Sequence, residues 1–169
     1  MGIGSATYKV LFLLHIFSAI VGFGALLLNK FYADEAKKRR GREGLAIVEA
    51  NQRVSHIGEM FIYAVPLFGF GLIGVSDGVY KFSQTWVVLS MVLYALALTV
   101  ALTVMKPTVK SQISLMKELG AGPPPTGSGG PPPQLAQLEK NGKKLAIGGA
   151  YNTISLVVII ALMTWKPGL

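Results

Sequence analysis

The chain contains no cysteine. That excludes disulfides, thiolate metal sites and covalent haem attachment through a C-x-x-C-H motif. Charge is also scarce. Only 14% of the 169 residues are Asp, Glu, Lys or Arg, against about a quarter in soluble domains. Histidine occurs twice, at His15 and His56. No nucleophile–base motif, phosphate-cradling glycine loop or metal-ligand cluster is present in the sequence. The longest segment between apolar blocks, residues 106–144, is too basic and proline-rich to hold a catalytic domain of its own.

Apolar residues are abundant, at 51%, and mean hydropathy is +0.51. They fall in four blocks, 8–28, 55–75, 86–105 and 145–165. Each has the roughly 20 residues that an α-helix needs to cross a hydrocarbon core of about 30 Å. A transmembrane β-barrel would show shorter, alternating segments. The first block is long for a signal peptide, and no small-x-small cleavage site precedes the basic run. It reads as a retained helix. The expected fold is all-α: a polytopic, antiparallel bundle of four transmembrane helices.

Basic residues set its orientation. Seven of the sixteen Lys and Arg lie between Lys30 and Val54, and six between Lys106 and Lys144. Lys9, Lys81 and Lys166 are the other three. Lys and Arg concentrate on the cytoplasmic side of short loops. Both basic segments are therefore expected in the cytoplasm, and both termini outside the plasma membrane. The net charge of +8 is accounted for by these collars, which attract anionic headgroups. It requires no nucleic acid.

Helical patterning continues beyond the membrane. Leu45, Val48 and Gln52 lead into the second span. Val109, Ile113 and Met116 carry the third past Pro107, and Leu135 and Leu138 lead into the fourth. Six of the nine prolines fall in 122–133, which reads as a linker. Two cytoplasmic helical extensions are thus expected, either as a hairpin that docks a partner or as a solvated connector. Pro66 predicts a kink in the second span. Ser18, Gly22 and Gly24 on the first span, and Gly58, Gly69, Gly71 and Gly74 on the second, are expected at close helix contacts. Lys106-Pro107 and Lys166-Pro167 look like matching stop signals, in which a snorkelling lysine precedes a helix-breaking proline.

Ionisable groups inside the membrane are functional candidates. Here they are His15, His56 and Glu59. His56 and Glu59 share a helix face, which Tyr63 extends by a turn. Tyr151 and Asn152 of the fourth span lie in the same inner half. Together these five residues form an expected polar cluster, either packing or a proton or substrate site. His15 is expected against Ser90 or Tyr94, at similar depth. The two histidines differ in depth by roughly 15 Å, which opposes a shared haem. A haem b held through His15 alone, or copper held through His15 and methionines, is the cofactor alternative to no cofactor.

Leu14-His15-Ile16-Phe17-Ser18-Ala19-Ile20-Val21-Gly22-Phe23-Gly24 resembles the start of small bacterial predicted integral membrane proteins catalogued as a domain of unknown function. Residues 131–140 and the ending Trp165-Lys166-Pro167-Gly168 are similar to the same family's linker and terminus. The first-span histidine is also similar to that of copper-resistance-D-like proteins and of the HemJ-type, four-helix, haem-containing protoporphyrinogen oxidase. That likeness reaches His15 alone, and Phe23 replaces the tryptophan usual before the glycine. The expected role is a non-enzymatic accessory or stabilising subunit of a larger transporter or respiratory assembly, with other membrane subunits as partners. The alternatives are haem or copper handling through His15, and a small carrier using Glu59.

Overall fold

The computed structural model describes residues 2–39, 41–121 and 133–168. Among them every regular element is helical. Helix α1 is Ala6–Arg39 and α2 is Gly41–Val75. Helix α3, Thr85–Val100, passes through a π-helical segment, Ala101–Met105, into α4, Lys106–Ala121. Helix α5 is Pro133–Trp165. The expected linker lies outside the described residues except at Pro133, which begins α5.

Four helical stretches are long and apolar enough to cross a membrane: Ala6–Arg39, Gly41–Val75, Thr85–Gly120 and Pro133–Trp165. Each is 33 to 36 residues long, about 50 Å at 1.5 Å per residue. That exceeds the hydrocarbon core by more than a dozen residues, so every helix extends beyond its apolar block. Many of their large apolar side chains point outward, for instance Ile20, Leu67 and Ile154 at 64–67% exposure. Lipid is the medium that such a surface requires.

The helices contact each other in a ring. α1 packs on α2, the α3–α4 stretch packs on α5, α2 meets α4, and α1 meets α5. Along α1 and α2, residue numbers fall on one helix as they rise on the other. Leu11 faces Gly71, His15 faces Gly69, Gly22 faces Ile62, Ala25 faces Gly58, and Ala36 faces Gly44. A Cβ on Gly22 would stand 2.9 Å from the Ile62 backbone nitrogen, and one on Gly58 would stand 2.6 Å from Ala25 Cβ. Glycine is what lets these backbones approach in lipid, where dispersion and packing replace the hydrophobic drive. Ser18, at 2% exposure, lies buried in α1. Gly24 and Gly74 depart from the expected packing pattern, since neither meets any atom within 4 Å. They lie off the faces that the two helices share.

Pro66 lies inside α2, and the helix continues through it. Proline has no N–H, so the carbonyl four residues earlier, on Ile62, loses its helical donor. The Tyr94 hydroxyl from α3 donates to that oxygen at 3.1 Å. A second helix thus repairs the break that Pro66 makes. The π segment similarly stands two residues before Pro107, and the Lys106 N–H reaches back five residues to Ala101 O. One extra residue in a helical turn rotates α4 about its axis relative to α3.

Candidate functional site

The intramembrane ionisable groups that the sequence singles out, His15, His56 and Glu59, lie in two places. The first centres on Glu59. Its Oε1 accepts from the Tyr63 hydroxyl at 2.6 Å and from Lys106 Nζ at 2.8 Å. Its Oε2 accepts from Lys106 Nζ at 3.1 Å and from the His56 Nδ1–H at 3.4 Å. Helical spacing on α2 puts His56, Glu59 and Tyr63 on one face. The π segment delivers Lys106 to them from α4. The carboxylate therefore sits beside a cation and two further donors, which is how a charge at membrane depth is sustained.

This group is on the outside of the bundle. The side chains of His56 and Lys106 are 73% and 48% exposed, and Tyr63 is exposed as well. A second ion pair, Lys117 Nζ to Glu49 Oε1 at 2.8 Å, ties α4 to α2 further along. There the Lys117 hydrogen bond holds the Glu49 carboxyl below the usual carboxylate range.

Tyr151 and Asn152 do not join Glu59. Asn152 Nδ2 donates to Met105 Sδ at 3.4 Å, and Tyr151 points outward. The cause is the order of the ring: α5 packs on α3, the π segment and α4, and not on α2. Lys106 instead completes the group. In sequence it has the pattern of a snorkelling lysine that closes the third span. The signal that could have found it is a cation at the end of the third span, level with a lone intramembrane acid.

The second place is His15, whose Nδ1–H donates to Val65 O at 2.9 Å. Neither Ser90 nor Tyr94 is its partner. A Cβ on Gly69 would lie 3.2 Å from His15 Cε1, so that glycine makes room for the ring. The contact commits Nδ1 to a carbonyl and leaves Nε2 as the one nitrogen for other partners. His15 lies level with Gly69, while His56 lies thirteen residues back along α2, about 20 Å. The two imidazoles do not bracket one metal. Among the described residues no group of three or more His, Cys, Asp or Glu could hold a metal ion. The spacing of the two histidines thus does not fit a bis-histidine haem.

Continuous apolar helices of membrane length, joined through glycine contacts, define an integral membrane protein that crosses the bilayer several times. Residues 9–167 match the family of predicted integral membrane proteins DUF2269, and the chain belongs to it. No curated protein and no solved structure matches the chain.

Proposed function

We propose that this protein is a non-enzymatic accessory or stabilising subunit of a larger assembly in the plasma membrane, such as a transporter or respiratory complex. In this reading the four spans form an antiparallel bundle with both termini outside and the basic helical extensions in the cytoplasm. The observation that carries it is the placement of the Glu59 group. Ionisable side chains within spans almost always face a bundle interior or a water-filled cavity. Here Tyr63, His56 and Lys106 are exposed on the outer face of α2 and α4. A neighbouring membrane subunit with donors or acceptors at that level would cover them. The acid–cation pair would then set the register of the contact.

Purification from native membranes in mild detergent tests this. The wild-type chain is expected to bring down stoichiometric membrane partners, and Glu59→Gln with Lys106→Met is expected to lose them while remaining folded. Recovery of the wild type as a free monomer, or undiminished partner recovery with the double variant, would overturn it.

A further inference from the structure

The outward side of α2 is narrow and regularly spaced. From Gly58 to Val75 the helix exposes only Met60, Tyr63, Leu67, Phe70 and Gly74. With His56 they form one stripe that advances by 4, 3, 4, 3 and 4 residues. The other spans expose broader faces, with adjacent pairs such as Leu27 and Leu28 on α1, Val88 and Leu89 on α3, and Val157 and Val158 on α5. Lipid wets a broad face and asks for no spacing. Alternating steps of three and four are the spacing at which one helix meets another along its length. Gly74 belongs to this stripe, and a side chain added there would meet no atom of its own chain within 4 Å.

The same stripe carries hydrogen-bonding capacity beyond what its own chain uses. Since His56 Nδ1 donates to a carboxylate, Nε2 of the neutral ring is a bare acceptor. The His56 side chain is 73% exposed, which opens it to a partner. Lys106 has three N–H groups and one carboxylate, Glu59, to receive them. At least one N–H is left over, on a side chain 48% exposed.

One face thus offers a donor and an acceptor, and it offers them at one level, because both side chains reach the same carboxylate. Those are the conditions for self-association. Copies inserted the same way meet about a two-fold axis along the membrane normal, where a residue reaches only residues of its own level. A two-fold contact also needs both halves of every bond on one surface. A face with donors alone, or with donor and acceptor at different depths, would need a different protein.

We propose that the subunit covering the Glu59 face is a second copy of this chain. The two α2 stripes pack along the two-fold axis, and Lys106 of each copy donates to His56 Nε2 of the other. This dimer rests on the reading of the Glu59 face as one covered by a membrane subunit, and gives that subunit an identity.

The full chain has no cysteine, so Met60→Cys, within the stripe, reports the contact by oxidation in native membranes. A disulfide-linked dimer is expected. Ile154→Cys, on α5 and as exposed as Met60 at 64%, is expected to give none. In the Met60→Cys background, His56→Phe removes two symmetry-related hydrogen bonds and is expected to weaken dimerisation about sevenfold. His56→Gln keeps an acceptor near the Nε2 position and is expected to retain most of the dimer. Equal dimer from Ile154→Cys, or no loss with His56→Phe, would overturn the contact. A loss with His56→Gln as large as with His56→Phe would overturn the bond between copies. No dimer, together with a diazirine at position 63 that captures a different protein, would overturn the second copy and leave the accessory-subunit reading standing. No dimer, with lipid adducts alone from position 63, would overturn both.

Discussion

Gly22 is the sharpest test of how the first two helices are held together. An alanine there would place Cβ 2.9 Å from both Ile62 Cγ1 and the Ile62 backbone nitrogen, and 3.2 Å from Gly58 O. Two of those three atoms are backbone, so side-chain rotation cannot relieve the contact. Ordinary contact begins near 3.4 Å, and α1 and α2 must separate by about 0.5 Å to regain it. Overpacking of this kind costs about 1–3 kcal/mol. Alanine recovers up to about 1 kcal/mol in helix propensity. With that full recovery, Gly22→Ala is expected to destabilise the fold by up to about 2 kcal/mol. Gly24 is the matched control, two residues away with no atom within 4 Å of an added Cβ. There propensity acts alone, and Gly24→Ala is expected to be neutral or slightly stabilising. Unfolding of both variants in mixed detergent micelles, followed by circular dichroism, should separate them by the overpacking cost of about 1–3 kcal/mol, about fivefold or more in the unfolding constant. A Gly22→Ala protein as stable as Gly24→Ala would refute the close α1–α2 packing.

Tyr94→Phe leaves the Ile62 carbonyl without a donor and should cost about 0.5–1.5 kcal/mol. In a Pro66→Ala background the residue-66 N–H returns, and the same substitution should cost close to nothing. Equal costs in the two backgrounds would reject the repair of the proline break. Glu49 has a folded pKa lowered from 4.5 by Lys117. The stability it contributes is present above 4.5 and is lost as pH falls through the lowered value. Distances between spin labels on α2 and α4 near this pair should broaden on acidification in the wild type and not in Glu49→Gln. Finally, the chain has no cysteine, so single cysteines report topology without background. Asp77→Cys should react with an impermeant maleimide on intact cells and Glu43→Cys only after permeabilisation. The reverse pattern would invert the proposed orientation.

The span-length helices and their extensions are legible from apolar block length and helical period. Leu45, Val48 and Gln52 do lie on one long α2, and Val109 through Met116 do continue the third helix as α4. Within a helix, period assigns a face correctly, which is why His56, Glu59 and Tyr63 are found together. Between helices it fixes no azimuth. Shared depth alone puts Asn152 near Glu59, yet Asn152 faces Met105, since α5 neighbours α3 and α4. Lys106 and Lys166 show the same limit. Both have the pattern of stop signals, and each reaches a residue far away in sequence, Glu59 in one case and Tyr80 in the other. The π segment that rotates Lys106 into place has no period of its own to betray it.

Whether another protein covers the Glu59 face within the membrane decides the proposed role. Photocrosslinking in native membranes reads this out, with a diazirine amino acid at position 63 and, as a lipid-facing control, at position 154, where Ile154 is 64% exposed. A discrete protein adduct is expected from position 63, and lipid adducts alone from position 154. Lipid adducts alone from both positions would show that no subunit sits on this face and would contradict the role.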